Sequence, residues 1–182
     1  MLNNLGKVIR LMKYSNNEYR MLYVWKELKR SFTKQKLDHG VYEDRNEIEA
    51  RFNMNENDIK SFWYWLSKQE NELYATTDIL DIYPEESTID IFILASHLNS
   101  VIKRSKIIVD PEKSKVILLS KISFFDCLYD SQLIPYLVCS HFEYAKDIDW
   151  AFKKLILEKE EPVFIIDELI KSKEKSNPVN KN

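Results

Sequence analysis

Apolar residues recur every three or four positions near the start of the chain, which is the spacing of an amphipathic helix. A first stretch covers the opening residues, and a second follows Asn16 and Asn17, either of which can cap a helix. The apolar positions of the two stretches are Leu2, Leu5, Val8, Ile9 and Met12, then Met21, Leu22, Trp25, Leu28 and Phe32. The pattern predicts two N-terminal helices, followed by a loop over residues 33–44.

Further helices are predicted in the middle of the chain. Ile48 and Phe52 lie four positions apart and indicate a short helix over residues 45–53. A longer helix is expected over residues 55–74. Its apolar stripe would be Ile59, Phe62, Trp63, Leu66 and Leu73. Because four consecutive large residues, Phe62–Trp65, cannot all face one side of a helix, part of this cluster is expected to meet a second element or a partner.

The next part of the chain contains one ambiguous segment. Residues 78–84 resemble a short strand. A helix that is apolar nearly all round is expected over residues 88–103, near the centre of the core. Residues 106–125 fit either a β-hairpin that turns at Asp110 or a helix that begins there. We favour the helix, because the apolar run 116–119 does not alternate.

Helical spacing resumes over residues 132–155, and the apolar run Val163–Ile166 is either a last strand or the start of a last helix. The lysine-rich residues 171–182 are expected to form a disordered tail. The predicted fold class is mainly α, with α+β as the alternative. A helical unit over residues 1–76 would pack on a mostly helical unit over residues 77–170 that holds at most one short β-hairpin.

The composition excludes several classes of protein. Only two of the 182 residues are glycine, whereas soluble proteins contain about 7%. This scarcity excludes Gly-rich phosphate loops and argues against an all-β fold with tight turns. No apolar run reaches the roughly 18–20 residues of a membrane span. Two cysteines and no signal-peptide pattern predict a cytoplasmic protein, and the basic opening leaves an organelle as the alternative.

The charge is unevenly distributed along the chain. Residues 1–36 contain nine Lys/Arg and two Glu, whereas residues 37–92 contain four Lys/Arg and fourteen Asp/Glu. The basic third would attract an acidic partner. The alternative is that the two blocks neutralise each other in the folded protein.

No motif for catalysis or metal binding is present. The candidate metal ligands are His39, His97, His141, Cys127 and Cys139, but no CxxC, HExxH or paired-histidine spacing occurs. We interpret the cysteines as small core residues and His141 as a buried polar group with hydrogen-bond partners. Nucleophile and nucleotide-binding motifs are missing as well. The sequence therefore predicts no catalytic residue, metal or cofactor.

One segment resembles a nucleic-acid-binding domain. Residues Tyr23–Tyr74, taken as helix, loop, short helix, turn and longer helix, resemble a winged-helix or helix-turn-helix domain. Asn46–Phe52 would be the supporting helix, Glu56–Gln69 the recognition helix and Leu73–Phe92 the wing. Those last two segments are acidic and would repel phosphates, which supply most DNA affinity. DNA contacts would then come from residues 7–36, and the module would more readily serve a protein contact.

A second resemblance involves the N-terminal third. Glu18-Tyr19-Arg20, the basic run Lys26–Arg30 and Phe52, some thirty residues later, resemble the spacing of LYR-motif proteins. These are small three-helix adaptors of mitochondrial complexes that hold an acyl carrier protein. Tyr19, Arg20 and Phe52 match, whereas Glu18 stands at the leucine position. The resemblance implies an adaptor that binds an acidic carrier protein.

The sequence favours a non-catalytic interaction module, an adaptor or a subunit of a larger intracellular assembly. The alternatives are a winged-helix-type nucleic-acid-binding protein and the LYR-like adaptor. The predicted partner-binding residues are Arg20, Lys26, Lys29, Arg30, Trp63 and Trp65. The basic side chains would meet an acidic protein, and the tryptophans would fill the core or supply apolar contact area.

Overall fold

A computed structural model of the chain describes residues 16–55, 58–102 and 104–176. The helices are α1 (Asn17–Gln35), α2 (Thr88–Val101), α3 (Phe124–Tyr129), α4 (Leu133–Lys153) and α5 (Pro162–Ser176). The strands are β1 (His39–Tyr42), β2 (Glu47–Asn55), β3 (Asp58–Ser67), β4 (Glu72–Leu80), β5 (Ser105–Asp110) and β6 (Lys115–Ser123). A short 3₁₀ turn, Glu85–Ser87, precedes α2, and a π-helical turn, Lys154–Glu158, follows α4.

The fold is α+β, so the prediction of a mainly α protein with at most one hairpin is wrong. The six strands form one antiparallel sheet in the order β1-β2-β3-β4-β6-β5. Strands make up 30% of the described residues and helices 52%. The predicted loop over residues 33–44 contains β1, and the segment 106–125 forms the β5–β6 hairpin instead of the favoured helix.

The two helices predicted over residues 45–53 and 55–74 are strands in the structure. A spacing of four, as between Ile48 and Phe52, fits the period of a strand as well as that of a helix. In β3 the buried residues are Phe62, Tyr64 and Leu66, whereas Trp63 and Trp65 lie on the other face of the sheet. Alternation therefore divides the cluster of large residues between two faces.

Tight turns are made here without glycine. Asn46, Asn71 and Ser114 stand in the turns of the three hairpins β1–β2, β3–β4 and β5–β6 with φ of 53°, 57° and 51°. Asparagine tolerates this left-handed conformation better than most residues. Glycine scarcity was therefore a poor guide to strand content.

The two resemblances seen in the sequence fail in the structure. The described part of the would-be recognition helix, Glu56–Gln69, belongs to β3 and the turn after it, so no helix is available there for a DNA groove. Phe52 lies in β2, whereas Tyr19 and Arg20 lie in α1. Strands at these positions fit neither the helices of a winged-helix domain nor the three-helix LYR architecture.

Several helical predictions are confirmed. The second predicted helix is α1, and the side chain of Asn16 caps it by accepting a hydrogen bond from the backbone N–H of Glu18 at 2.9 Å. The helix predicted from Thr88 is α2, and the last apolar run begins α5. The first predicted helix, over Leu2–Met12, lies outside the described residues.

The chain divides into two compact units. Unit 1 comprises the described part of Met1–Thr77 together with Leu119–Phe142, and unit 2 comprises Asp78–Leu118 together with the described part of Glu143–Asn182. The core of unit 1 includes Val24, Leu28, Phe32, Ile48, Phe62, Tyr64 and Leu73. The core of unit 2 includes Ile79, Ile91, Leu94, Leu98, Phe152 and Ile165. The predicted limits at residues 76 and 170 stay predictions; α5 continues through residue 176.

Candidate protein-binding surface

Helix α1 has a buried side and an exposed side with very different residues. Its buried side packs into unit 1 through Val24, Trp25, Leu28, Ser31 and Phe32. On the exposed side, Tyr19 and Leu22 keep 57% and 52% of their surface in solvent, and Lys26 and Arg30 are exposed as well. We call these four residues the α1 outer face. Helical spacing puts Leu22 among the apolar positions with Trp25, Leu28 and Phe32, but Leu22 is exposed and Val24 is fully buried instead.

Two of the predicted basic residues of α1 are engaged within unit 1. Lys29 Nζ donates to Glu43 Oε1 at 2.7 Å, and Trp25 Nε1 donates to Glu43 Oε2 at the same distance. These hydrogen bonds, that from Lys29 first, hold the pKa of the Glu43 carboxyl below its ordinary value. Arg20 donates to Asn17 Oδ1 at 3.3 Å. Charge neutralisation between the basic and acidic parts of the chain therefore occurs at Lys29.

Arg30 is more available to a partner than Lys29. Its side chain is 73% exposed, and Nη1 lies 3.8 Å from Glu27 Oε1, a long ion pair. A guanidinium that is only loosely paired keeps most of its five donors for another carboxylate.

The two predicted tryptophans lie on the sheet face opposite α1. Phe32 of α1 meets the ring of Tyr64 edge-on at 5.0 Å, which places α1 on the inner face of β3. Trp63 stacks on Tyr42 and Trp65 on Tyr74, at centroid distances of 5.9 and 5.2 Å, on the outer face. The structure therefore does not bring Trp63 and Trp65 together with the basic residues of α1.

A polar cleft of about 390 Å³ lies between α1 and the start of α4, entirely within unit 1. It is lined by Glu27, Arg30, Ser31, Lys34, Gln35, Ser131, Gln132 and Pro135. We call it the α1–α4 cleft. Among its lining residues, the sequence had indicated only Arg30. The Arg30–Lys34 spacing of four was a visible signal on one helix, but nothing in the sequence showed that residues 131–135 would lie opposite.

The two cysteines have contrasting environments. Cys139 is exposed, and its Sγ lies 3.6 Å from Oε1 of Gln35, a cleft residue. Cys127 is fully buried, and burial raises the pKa of its thiol to about 12. The interpretation of the cysteines as core residues is confirmed for Cys127 and wrong for Cys139.

His141 forms a buried neutral hydrogen-bond network in unit 1. Its Nδ1 lies 2.6 Å from Ser120 Oγ, its Nε2 lies 3.2 Å from Thr77 Oγ1, and the residue has no exposed surface. Burial lowers the pKa of the imidazole to about 3, so it is neutral at pH 7. The interpretation of His141 as a satisfied polar group is confirmed. Within the described ranges, no group of three or more His, Cys, Asp or Glu residues is arranged to hold a metal ion.

Helix α2 in unit 2 exposes a different surface. Ile91, Leu94, Ala95 and Leu98 are buried. Ile89, Phe92 and Ile93 expose 73%, 45% and 41% of their surface, so this helix, which was expected near the centre of the core, has one exposed apolar side. We call these three residues the α2 outer face. Asp90 is the only Asp, Glu, Lys or Arg residue of α2.

None of the helices in the described part of the chain is long and apolar enough to span a membrane.

Comparisons with known proteins show a likeness of fold only. No protein-family profile and no curated protein matches the chain. A chain in the crystal structure of the ExsC–ExsE complex is 14% identical, with a TM-score of 0.53 over 75% of this chain and 95% of that chain. A chain in the crystal structure of the Yersinia pestis type III secretion chaperone SycH in complex with a stable fragment of YscM2 is also 14% identical, with a TM-score of 0.40 over 66% of this chain and 98% of that chain. Only the first likeness is close enough to support the α+β fold.

Proposed function

We propose that this protein is a non-catalytic adaptor or chaperone whose α1 outer face binds an acidic segment of a partner protein. The observation that carries the proposal is the combination of exposed apolar and exposed basic side chains on one side of α1. The fold supports it, because a chain of similar fold was crystallised in the ExsC–ExsE complex, an assembly of two proteins.

The α1 outer face provides both kinds of contact that a protein interface needs. Tyr19 and Leu22 offer exposed apolar area, and burying such area contributes about 25 cal/mol per Å². Lys26 and Arg30 would decide which partners can approach, because complementary charge gives specificity and a faster encounter rate. An acidic segment with apolar residues between its carboxylates fits both features.

Affinity capture from native extract tests the proposal, with mass spectrometry to quantify the captured protein. The variant Leu22→Glu/Lys26→Glu places negative charge on the α1 outer face and leaves the buried side of α1 unchanged. The matched control is Ile82→Glu/Lys106→Glu, which likewise changes one aliphatic residue and one lysine to glutamate, at exposed positions of unit 2, where Ile82 is 80% exposed.

We expect the first variant to retain less than a tenth of the captured partner and the control to retain most of it. The captured protein should contain a segment with both acidic and apolar residues. Its affinity for the wild type should fall as the salt concentration rises. Equal capture by the wild type and Leu22→Glu/Lys26→Glu, or selective loss in the control, would contradict the proposal.

A further inference from the structure

We propose that the α1–α4 cleft binds an aspartate or glutamate side chain of the partner segment. This inference rests on the proposed function and extends it, because it names a separate subsite and the group that the subsite takes. The cleft borders the α1 outer face at Arg30, which belongs to both. A segment that lies along α1 would therefore pass its opening.

The size and lining of the cleft suit a short acidic side chain. A volume of about 390 Å³ lies at the small end of the range for ligand sites. Arg30 and Lys34 supply two cations one helical turn apart, and the amide side chains of Gln35 and Gln132 also line the cleft. Arginine forms paired hydrogen bonds with a carboxylate, which gives the contact a defined geometry.

The single acidic residue in the lining does not cancel this charge. Glu27 lies at 3.8 Å from Arg30, beyond normal hydrogen-bond distance, so an incoming carboxylate can replace it at closer range. Ser31, which is 8% exposed, accepts a hydrogen bond from Gln35 Nε2 at 3.0 Å and fixes that side chain at the wall of the cleft. The cleft therefore has two cations against one carboxylate.

A direct binding test uses a fluorescein-labelled hexaglutamate peptide, amidated at its C-terminus so that only side-chain carboxylates are present. We expect Arg30→Gln/Lys34→Gln to weaken peptide binding at least tenfold in fluorescence anisotropy at low salt. Lys106→Gln is the control, because Lys106 is an exposed cation of unit 2 that lies neither in the cleft lining nor on the α1 outer face. It should weaken binding less than threefold.

A second measurement uses the exposed thiol next to the cleft. Cys139 lies beside Gln35, whereas Cys127 is buried, so alkylation of the native protein should report Cys139 alone. Saturating capped hexaglutamate should slow this alkylation several-fold in the wild type and not in Arg30→Gln/Lys34→Gln.

Three results would overturn the inference. The first is equal affinity of the hexaglutamate peptide for the wild type and Arg30→Gln/Lys34→Gln. The second is that a hexaglutamine peptide with a free C-terminal carboxylate binds more tightly than capped hexaglutamate. The third is that a single-stranded oligonucleotide binds more tightly than capped hexaglutamate. Failure of the cleft inference can be told apart from failure of the proposed function. If Arg30→Gln/Lys34→Gln captures the partner fully while Leu22→Glu/Lys26→Glu does not, the cleft inference fails and the proposed function stands.

Discussion

Helix α1 of unit 1 and helix α2 of unit 2 pack in the same way, but their exposed sides differ in charge. Each buries one side in its own unit and leaves large apolar residues exposed on the other. On α1 those residues stand beside Lys26 and Arg30, whereas the only Asp, Glu, Lys or Arg within α2 is Asp90.

This difference in charge determines which interaction would select a partner at each surface. A contact on α1 combines apolar burial with charge, so its strength should depend on salt and on the sign of the partner's charge. A contact on α2 would depend on apolar burial alone, which has no direction and little salt dependence at moderate concentrations. The predictions below test this contrast in the two units.

The largest expected effect separates the buried side of each helix from its exposed side. Leu28→Ala in α1 and Leu94→Ala in α2 should each lower the free energy of unfolding by about 2–5 kcal/mol, because both side chains are fully buried. Leu22→Ala and Ile89→Ala should change it by less than about 0.5 kcal/mol. Urea unfolding followed by circular dichroism measures all four. A loss of several kcal/mol in Leu22→Ala or Ile89→Ala would show that the exposed side is wrongly assigned.

The second prediction concerns pH and the buried histidine of unit 1. Because the pKa of His141 is about 3 in the folded protein and about 6.5 when unfolded, the unfolded state binds the proton first as the pH falls. The contribution of neutral His141 to the free energy of unfolding should therefore be fully present above pH 6.5. Below that pH the free energy of unfolding should decline by up to about 1.4 kcal/mol per pH unit, until the pKa of His141 in the folded protein is reached.

The pH test compares variants between pH 7 and pH 5, above the range in which most carboxylates titrate. His141→Gln removes the titrating group and should flatten the decline, whatever its effect on stability at pH 7. Leu22→Ala, at an exposed position without a titrating group, is the control and should keep the slope of the wild type. A wild-type stability that does not change from pH 7 to pH 5 would refute the assignment.

The third prediction compares two tyrosines of unit 1. Tyr64 is fully buried, and its hydroxyl has no hydrogen-bond partner among the described residues. Tyr74 donates to Glu70 Oε2 at 2.6 Å and is placed at 2.7 Å from Glu72 Oε2. Tyr64→Phe should raise the free energy of unfolding by about 1 kcal/mol, whereas Tyr74→Phe should lower it by about 1 kcal/mol. Thermal unfolding at pH 7 should show that the two variants change the free energy of unfolding in opposite directions. A change in the same direction for both variants would contradict the account.

The smallest expected effect lies in unit 2. Lys154 Nζ donates to carboxylates of Glu160 at 3.1 Å and Glu168 at 2.6 Å, and these hydrogen bonds, that to Glu168 first, raise the pKa of Lys154 to about 12. Lys154→Met should lower the urea midpoint slightly at low salt. The difference should shrink near 1 M NaCl, because salt screens pairs at the surface. A difference that grows with salt would show that packing, not charge, is the cause.

The sequence predicted α1 well and the sheet poorly, for identifiable reasons. In α1, helical spacing and the Asn16 cap agree, so local signals were sufficient. In β2, the spacing of Ile48 and Phe52 fits a helix and a strand equally, and the turns that would have indicated strands use Asn46 and Asn71 instead of glycine.

The candidate site was only partly visible in the sequence for a different reason. Lys26 and Arg30 could be selected from charge alone. The α1–α4 cleft depends on contacts between residues far apart in the chain, such as Gln35 and Cys139, which are separated by 104 positions. No local pattern encodes such a contact, because tertiary packing creates it.

Hydroxyl-radical footprinting of the protein with its captured partner tests the central claim most directly. Complex formation should strongly reduce oxidation of Tyr19 and Leu22 and leave Ile82 and Leu157, which are 80% and 75% exposed, unchanged. Unchanged oxidation of Tyr19 and Leu22, together with protection of Phe92 on α2, would contradict the assignment of partner binding to α1.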